Sequence, residues 1–363
     1  AWQYLGDTYR NMKNDSLAVE AYLKTLELDP DRDAILYSKL AESEGNIGMY
    51  EEAYEHMVVF LQNPDVKGDL KTKAIKLRKN YEFAKEAVKN PVNFNPYNMG
   101  TEINSDFPEY FPSLSVDGKT MVMTRRIDDV ISLGPGDSRK IEQEDFYISF
   151  LENGTWTPAQ NMGAPINTKM NQGAQSISAD GRFLFYTSCE DLENGYGSCD
   201  LYYSLKIGNI WSNPENCGTI INTADWESQP SVTADGRELF FSSGRPGGKG
   251  SYDLWHAKLG EDGYWMEPEN LGDVINTPYL EQCPFIHPDG KTLYFASEGH
   301  PGMGSADLFY STRDENGVWS KPINLGYPIN TQNREISLSV SSNGTTAYFS
   351  SDRDKTLGDL DIY

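Results

Sequence analysis

Two short motifs recur between residues 104 and 344 at a separation that never changes. An Ile-Asn-Thr or Ile-Asn-Ser triplet places Asn at 104, 167, 222, 276 and 330. Thirteen residues after each stands a turn pair: Asp117-Gly118, Asp180-Gly181, Asp235-Gly236, Asp289-Gly290 and Asn343-Gly344. Asp-Gly and Asn-Gly tolerate the positive φ that both corners of a two-residue hairpin demand. A short apolar run such as Phe183-Leu184-Phe185-Tyr186 follows each turn and reads as a strand. A further strand opens on Asp145, Asp200, Asp253, Asp307 or Asp361, and Trp156, Trp211, Trp265 and Trp319 stand eleven or twelve residues after the first four. A period of 54 to 63 residues that holds four short strands predicts a propeller blade. A β-solenoid would need much shorter coils, and sandwiches do not repeat their sequence in this way.

Five such units predict five blades, yet only four contain a Trp strand. Residues 93–100 (Asn-Phe-Asn-Pro-Tyr-Asn-Met-Gly), with Phe94 near the Trp position, are expected to complete the last blade and close the ring. Six blades is the alternative, if a longer natural chain supplies another.

Residues 1–90 follow a different period. Trp2-x2-Leu5-Gly6-x2-Tyr9, then Ala18, Tyr22 and Pro30, resemble a tetratricopeptide (TPR) repeat, a helix–turn–helix in which Gly6 and Ala18 let two helices touch. A looser copy follows with Tyr37, Leu40, Ala41, Gly48, Ala53 and Phe60, and with Glu44 where the first copy has Tyr9. Leu70, Ala74, Leu77, Tyr81, Ala84 and Val88 then mark one face of a helix ended by Pro91. Its other face carries Lys71, Lys73, Lys76, Arg78, Lys79, Lys85 and Lys89, either as a solvated capping helix or as a basic docking surface. Two repeats are fewer than such arrays use, so further repeats are expected before Ala1. The expected fold is α + β and multidomain: TPR-like helical hairpins over 1–90, then a five-bladed β-propeller over 91–363.

The pattern at Thr233 to Arg245, Thr-x-Asp-Gly-Arg-x-Leu-Phe-Phe-Ser-Ser-x-Arg, resembles the TolB-like propeller repeat of bacterial envelope proteins. TPR repeats joined to such a propeller, with Trp-Ser-x-Pro-x-Asn-Leu-Gly linkers, are similar to Bacteroidota periplasmic proteins of the OmpA family. That resemblance implies a periplasmic, outer-membrane-associated chain in or near the type IX secretion or gliding apparatus. It also implies a peptidoglycan-binding domain beyond Tyr363, so peptidoglycan would be reached only through a part not present here.

Charge narrows the partners. The chain has 31 basic and 54 acidic side chains, a net −23. Residues 1–90 hold 13 basic and 16 acidic ones, which leaves 18 and 38 for the propeller. An acidic surface repels phosphate backbones and anionic headgroups, so nucleic acid is not expected as a partner. No apolar run approaches the ~18–20 residues of a membrane span, so direct insertion is not expected either. No signal peptide is seen, and the opening Ala1-Trp2 reads as the inside of a helix.

A search for chemistry finds decoys. Gly244 to Ser251 is Gly-rich with Lys249, but a phosphate loop needs Ser or Thr straight after the Lys, where Gly250 stands. There is no Gly-x-Ser-x-Gly nucleophile elbow, and the Asp-Gly turns differ from the sialidase Asp-box. His56, His256, His287 and His300 form no ligand pair, and Asp352, Asp354, Asp359 and Asp361 miss the calcium-loop spacing. The expectation is therefore no cofactor, no metal, no catalytic residue, and a chain that is not an enzyme. The recurring Asp at the third strand is expected to satisfy backbone donors of the adjoining turn rather than ring a cation. Arg245 and Arg353, with Arg126 nearby, either grip a carboxylate or pair with those same acids.

Cys189 and Cys199 flank the connection between two antiparallel strands of blade 2. A disulfide there is one outcome, and two thiols the other. Cys217 aligns with Met162, Leu271 and Leu325 and reads as a small buried residue, whereas Cys283 aligns with Phe111, Ala174, Gln229 and Ser337 and is uninformative.

Blade 1 has about ten extra residues between its second and third strands, within Ile127 to Glu144. Loops on a rigid scaffold are where recognition is built. That segment, with Ile127, Asp128, Asp129, Arg139 and Lys140, is the expected partner-binding loop. The function expected is a non-enzymatic scaffold holding other envelope or secretion proteins; the alternative is a module for carbohydrate or peptidoglycan fragments.

Overall fold

The computed structural model describes every residue except 31, 135–136, 179, 190–192, 209 and 354–355; over 129–141 it describes backbone only. Five helices come first: α1 (Trp2–Asn11), α2 (Asp15–Leu28), α3 (Ile35–Asn46), α4 (Tyr50–Gln62) and α5 (Gly68–Lys89). Successive helices pack as antiparallel neighbours, and the small residues explain how closely. A Cβ on Gly6 would run into the Tyr22 ring, and one on Gly45 into the Tyr81 ring. Each glycine therefore admits an aromatic from a later helix. Glu44, at the place of the repeat's second Tyr, is 1% exposed and lies 2.7 Å from His56 Nδ1. On α5 the basic face is largely engaged: Lys73 pairs with Glu42, Lys85 and Lys89 with Glu51, and Arg78 with Glu82. No helix among the described residues is long and apolar enough to cross a membrane.

The rest of the chain forms five antiparallel sheets. Their innermost strands are Glu109–Leu114, Asn171–Ile177, Glu227–Val232, Glu281–Ile286 and Glu335–Val340, in blades 1 to 5. In blade 3 the chain then runs out through Glu238–Ser243, Asp253–Lys258 and Glu269–Asn270, each paired to the one before. The expected five-bladed propeller is thus the fold. Blade 5 has three strands, the last being Asp361–Ile362. The expected extra strand over 93–100 does not form among the described residues; Asn98 and Met99 close the ring instead. Met99 N–H donates to the Ile362 carbonyl (3.1 Å) and the Asn98 amide to Asp361 (2.5 Å). Around that seam Ile103, Met121, Met123 and Ile362 are fully buried together.

The Trp residues recur because each covers the blade before its own. Trp265 sits edge-on to Phe185 (6.2 Å between ring centres), Trp319 to Phe240 (6.1 Å) and Trp156 to Tyr348 (6.0 Å).

Candidate functional site on the loop face of the propeller

The fixed spacing of the repeat comes from one hydrogen-bonded clamp. The motif Asn carries its carboxamide to the strand that opens on Asp and pairs with the residue after that Asp. Asn222 accepts from Leu201 N–H (2.8 Å) and donates to its carbonyl (2.9 Å); Asn276 does the same to Leu254, Asn167 to Phe146 and Asn104 to Ile362. Each also donates to an Asn six residues earlier, as Asn276 does to Asn270 at 2.9 Å. A carboxamide has one donor end and one acceptor end, so it can imitate a strand neighbour.

The recurring Asp completes the clamp. Asp253 accepts from the backbone of Lys249 and Gly250 and from the Asn270 amide; Asp200 and Asp361 have equivalent partners. In the Gly-rich segment those N–H groups are thus spent on Asp253, and Lys249 pairs with Asp273 at 2.6 Å.

Five residues beyond four of the five motif Asn residues lies an acid that sequence reading did not single out. Glu109, Glu227, Glu281 and Glu335 open the innermost strands, fully buried. Three of them hold a neighbouring arginine: Arg125 at Glu109 (2.5 Å), Arg245 at Glu227 (3.4 Å) and Arg353 at Glu335 (3.2 Å). Arg245 and Arg353 therefore pair with these strand glutamates. Arg126 lies 3.7 Å from Glu142 and 3.8 Å from Asp359. In blade 4 the cation's place is taken by His300, whose Nε2 is 2.8 Å from the Ile275 carbonyl, as the Arg125 guanidinium is 2.9 Å from that of Ile103. Burial raises the carboxyl pKa of Glu109 and Glu281, which their hydrogen bonds oppose. Blade 2 has Gln172 in this place, bonded to Thr168 in the same two-point way.

The remaining histidines are also dispersed: His256 lies against Glu238 and His287 against Asp289. Among the described residues no three metal-ligating side chains gather. Asp354 is outside the described residues.

The axis is filled rather than open. Phe111, Ala174, Gln229, Cys283 and Ser337 all have φ between +52° and +60° and mark a bulge in each innermost strand. This is what Cys283 shares with its aligned residues: a left-handed backbone that costs roughly 1–2 kcal/mol each for non-glycine residues. The bulges turn the chain inward, where side chains bridge blades: Gln175 donates to the Val122 carbonyl, Ser176 accepts from Val232 N–H, and Ser231 from Ile286 N–H. About 30 Å³ remains between them.

The elements that depart from the repeat sit instead where second strands pass to third strands. In blade 1 that connection is no loop. Strand Thr120–Gly134 pairs with Asp137–Glu152 from Thr120↔Phe150 to Gly134↔Asp137, forming a two-stranded ribbon beyond the blade. Ile127 is half-buried at its base and Asp128 exposed. Asp129 lies opposite Ile141, Lys140 opposite Val130 and Arg139 opposite Ile131; the side chains of these three fall outside the described ones. The Tyr110 hydroxyl donates to Glu144, and Asn171 accepts from Glu144 N–H, which fix the ribbon's root to blades 1 and 2. In blade 2 Cys189 and Cys199 face one another in register and are joined as a disulfide. Between these two connections lies a cavity of about 260 Å³, lined by Tyr110, Glu144, Thr187, Cys189, Trp226 and Ser228 among others.

No protein-family model matches the chain. A stretch of 73 residues is 36% identical to the peroxisomal targeting signal receptor of Candida glabrata, covering 20% of this chain and 12% of that receptor. Among solved structures, similarity reaches an α-L-arabinofuranosidase from Lactobacillus brevis (14% identity, 73% of this chain and 92% of that one, TM-score 0.45). It also reaches an exo-β-1,3-galactanase from Clostridium thermocellum (13%, 73% and 61%, 0.44) and a prolyl endopeptidase (15%, 66% and 30%, 0.34). At such identities the likeness concerns the fold alone. It does correct one expectation. Propellers of this kind occur in peptidases and glycosidases, so the lack of familiar motifs does not make this chain a non-enzyme.

Proposed function

We propose that the chain is a protein-interaction scaffold of the bacterial cell envelope, working in the periplasm beside the outer membrane. Its layout resembles PorE of the type IX secretion system, and the partners proposed are other envelope or secretion proteins. The observation that carries the reading is the contrast between axis and rim. Buried glutamates are consumed within their own blades, and glutamines and serines in joining blades, while a paired ribbon and a disulfide-tied connection stand out from one face. Elements anchored at a rigid rim present a surface without cost in ordering. The short match to a peroxisomal targeting signal receptor also favours a role in protein interaction.

Crosslinking with mass spectrometry in intact envelopes tests this. Deleting residues 128–143 should remove the crosslinks made by blades 1 and 2 and leave the propeller folded. An unchanged crosslink map would refute the assignment to the ribbon.

A further inference from the structure

Because the blades repeat, each cleft between neighbours can be compared with the next, and two of them differ. Between blades 3 and 4 the cleft is filled from within. Arg313 reaches across to Glu238 (2.7 Å) and to the Gly290 carbonyl (2.7 Å), with its guanidinium 5.9 Å from the Phe240 ring centre and 5.6 Å from that of Trp319. His256 packs on the other side of Glu238. Between blades 2 and 3 the same two-ring frame is present as Phe185 and Trp265. The filling is not. Leu259 stands where Arg313 stands, Phe183 replaces Glu238, Tyr203 replaces His256, and Cys217 replaces the larger Leu271. A groove of about 570 Å³ remains there.

We propose that this groove docks an arginine-bearing, otherwise apolar peptide segment of a partner protein, the incoming guanidinium taking the place that Arg313 fills in the next cleft. The floor is aromatic and aliphatic, which suits apolar side chains. Asp235 lies in the wall, and the Tyr203 hydroxyl of the lining donates to Glu215 at 2.6 Å. Among the described residues no Lys, Arg or His lines the groove, and the propeller is strongly acidic, so the complement is cationic. Aromatic faces next to a carboxylate favour a flat guanidinium over a compact ammonium. Tyr264, 76% exposed at the edge, would close over the bound chain.

The inference rests on reading the propeller as a protein-interaction module, and its test is separate from the ribbon experiment. The probe is the peptide acetyl-Leu-Arg-Leu-Arg-Leu-amide, titrated calorimetrically into the full chain. Leu259→Arg supplies the internal guanidinium of the neighbouring cleft, and Cys217→Leu narrows the groove as Leu271 does. Each should weaken binding by roughly tenfold or more without lowering the melting temperature, and so should replacing Arg by citrulline in the peptide. If Leu259→Arg fails to fold, Cys217→Leu and the citrulline peptide still decide. Equal affinity for both variants, or for the citrulline peptide, overturns the proposal. So does an N-acetylglucosamine tetramer that binds the wild type but not Leu259→Arg when the peptide binds neither. Loss of the groove claim with ribbon-dependent crosslinks intact would leave the scaffold reading standing.

Discussion

The carboxamide clamp makes a quantitative demand on Asn276→Ala. The side chain is 1% exposed and makes three bonds: it accepts from Leu254 N–H at 2.9 Å, and donates to the Leu254 carbonyl at 3.0 Å and to Asn270 at 2.9 Å. Truncation leaves the Leu254 donor and acceptor unpaired in the interior of the blade 3–4 junction, with only a methyl in their place. At about 1 kcal/mol net for each lost bond, the cost is about 3 kcal/mol. For a unit of this size that lowers the melting temperature by about 5 °C. Hydrogen exchange at the Leu254 amide should speed by roughly a hundredfold under native conditions, since that N–H loses its Asn276 acceptor. Asn276→Asp should be no better, because a second acceptor would face the Leu254 carbonyl and the Asn270 oxygen. Asn213→Ala, at an exposed position, is the control. If Asn276→Ala melts with that control and leaves Leu254 protected, the clamp does not hold the blades, and the fixed repeat spacing needs another cause.

Glu238 predicts an acid-dependent term. The hydrogen bond from His256, together with that from Arg313, outweighs partial burial and holds its carboxyl at about 2, below the ordinary 4.5. A depressed folded pKa gives stability that is complete above the unfolded value and lost as pH falls through the folded one. Glu238→Gln should therefore cost about 2 kcal/mol at neutral pH, discounted for partial exposure, and the gap to wild type should close between pH 4.5 and 2 in urea titrations. For the disulfide, Cys189→Ser with Cys199→Ser releases a loop closed by a separation of 10 residues and should cost about 2–3 kcal/mol. Reducing agent should destabilise wild type by the same amount and the double variant not at all.

Much of this fold was legible because its repeat is built on backbone geometry. The Asp-Gly turns and the Asn–Asp clamp work only at fixed offsets, so they show as fixed offsets. The strand glutamates recur as regularly, at five residues past the motif Asn of four blades, but their partners do not: Arg125 comes from within a strand, Arg245 and Arg353 from just beyond one, and His300 takes the arginine's place in blade 4 from beyond the strand that ends at Ser297. One charge reached from several registers leaves no spacing to read. The blade 1 insertion reads as added length in the repeat spacing, although Ile127, Val130 and Ile131 are strand formers. The groove between blades 2 and 3 was invisible for another reason. It depends on Leu259 and Cys217 being smaller than their counterparts while facing each other from different blades, and no single segment carries that information.

The seam through which Asn104 grasps Ile362 joins residues 258 apart in the chain. It is the same clamp that links consecutive blades, where the span is 21 or 22 residues. Four junctions can thus form as synthesis proceeds, one blade after another. The ring itself stays an open arc until Asp361 and Ile362 have emerged, and then a loop of that length must close at an entropic cost of about 5 kcal/mol. Until that moment the first and last blades each expose an unpaired side to whatever is nearby, so a chain that crosses a membrane unfolded would complete its propeller only after its final strand has arrived.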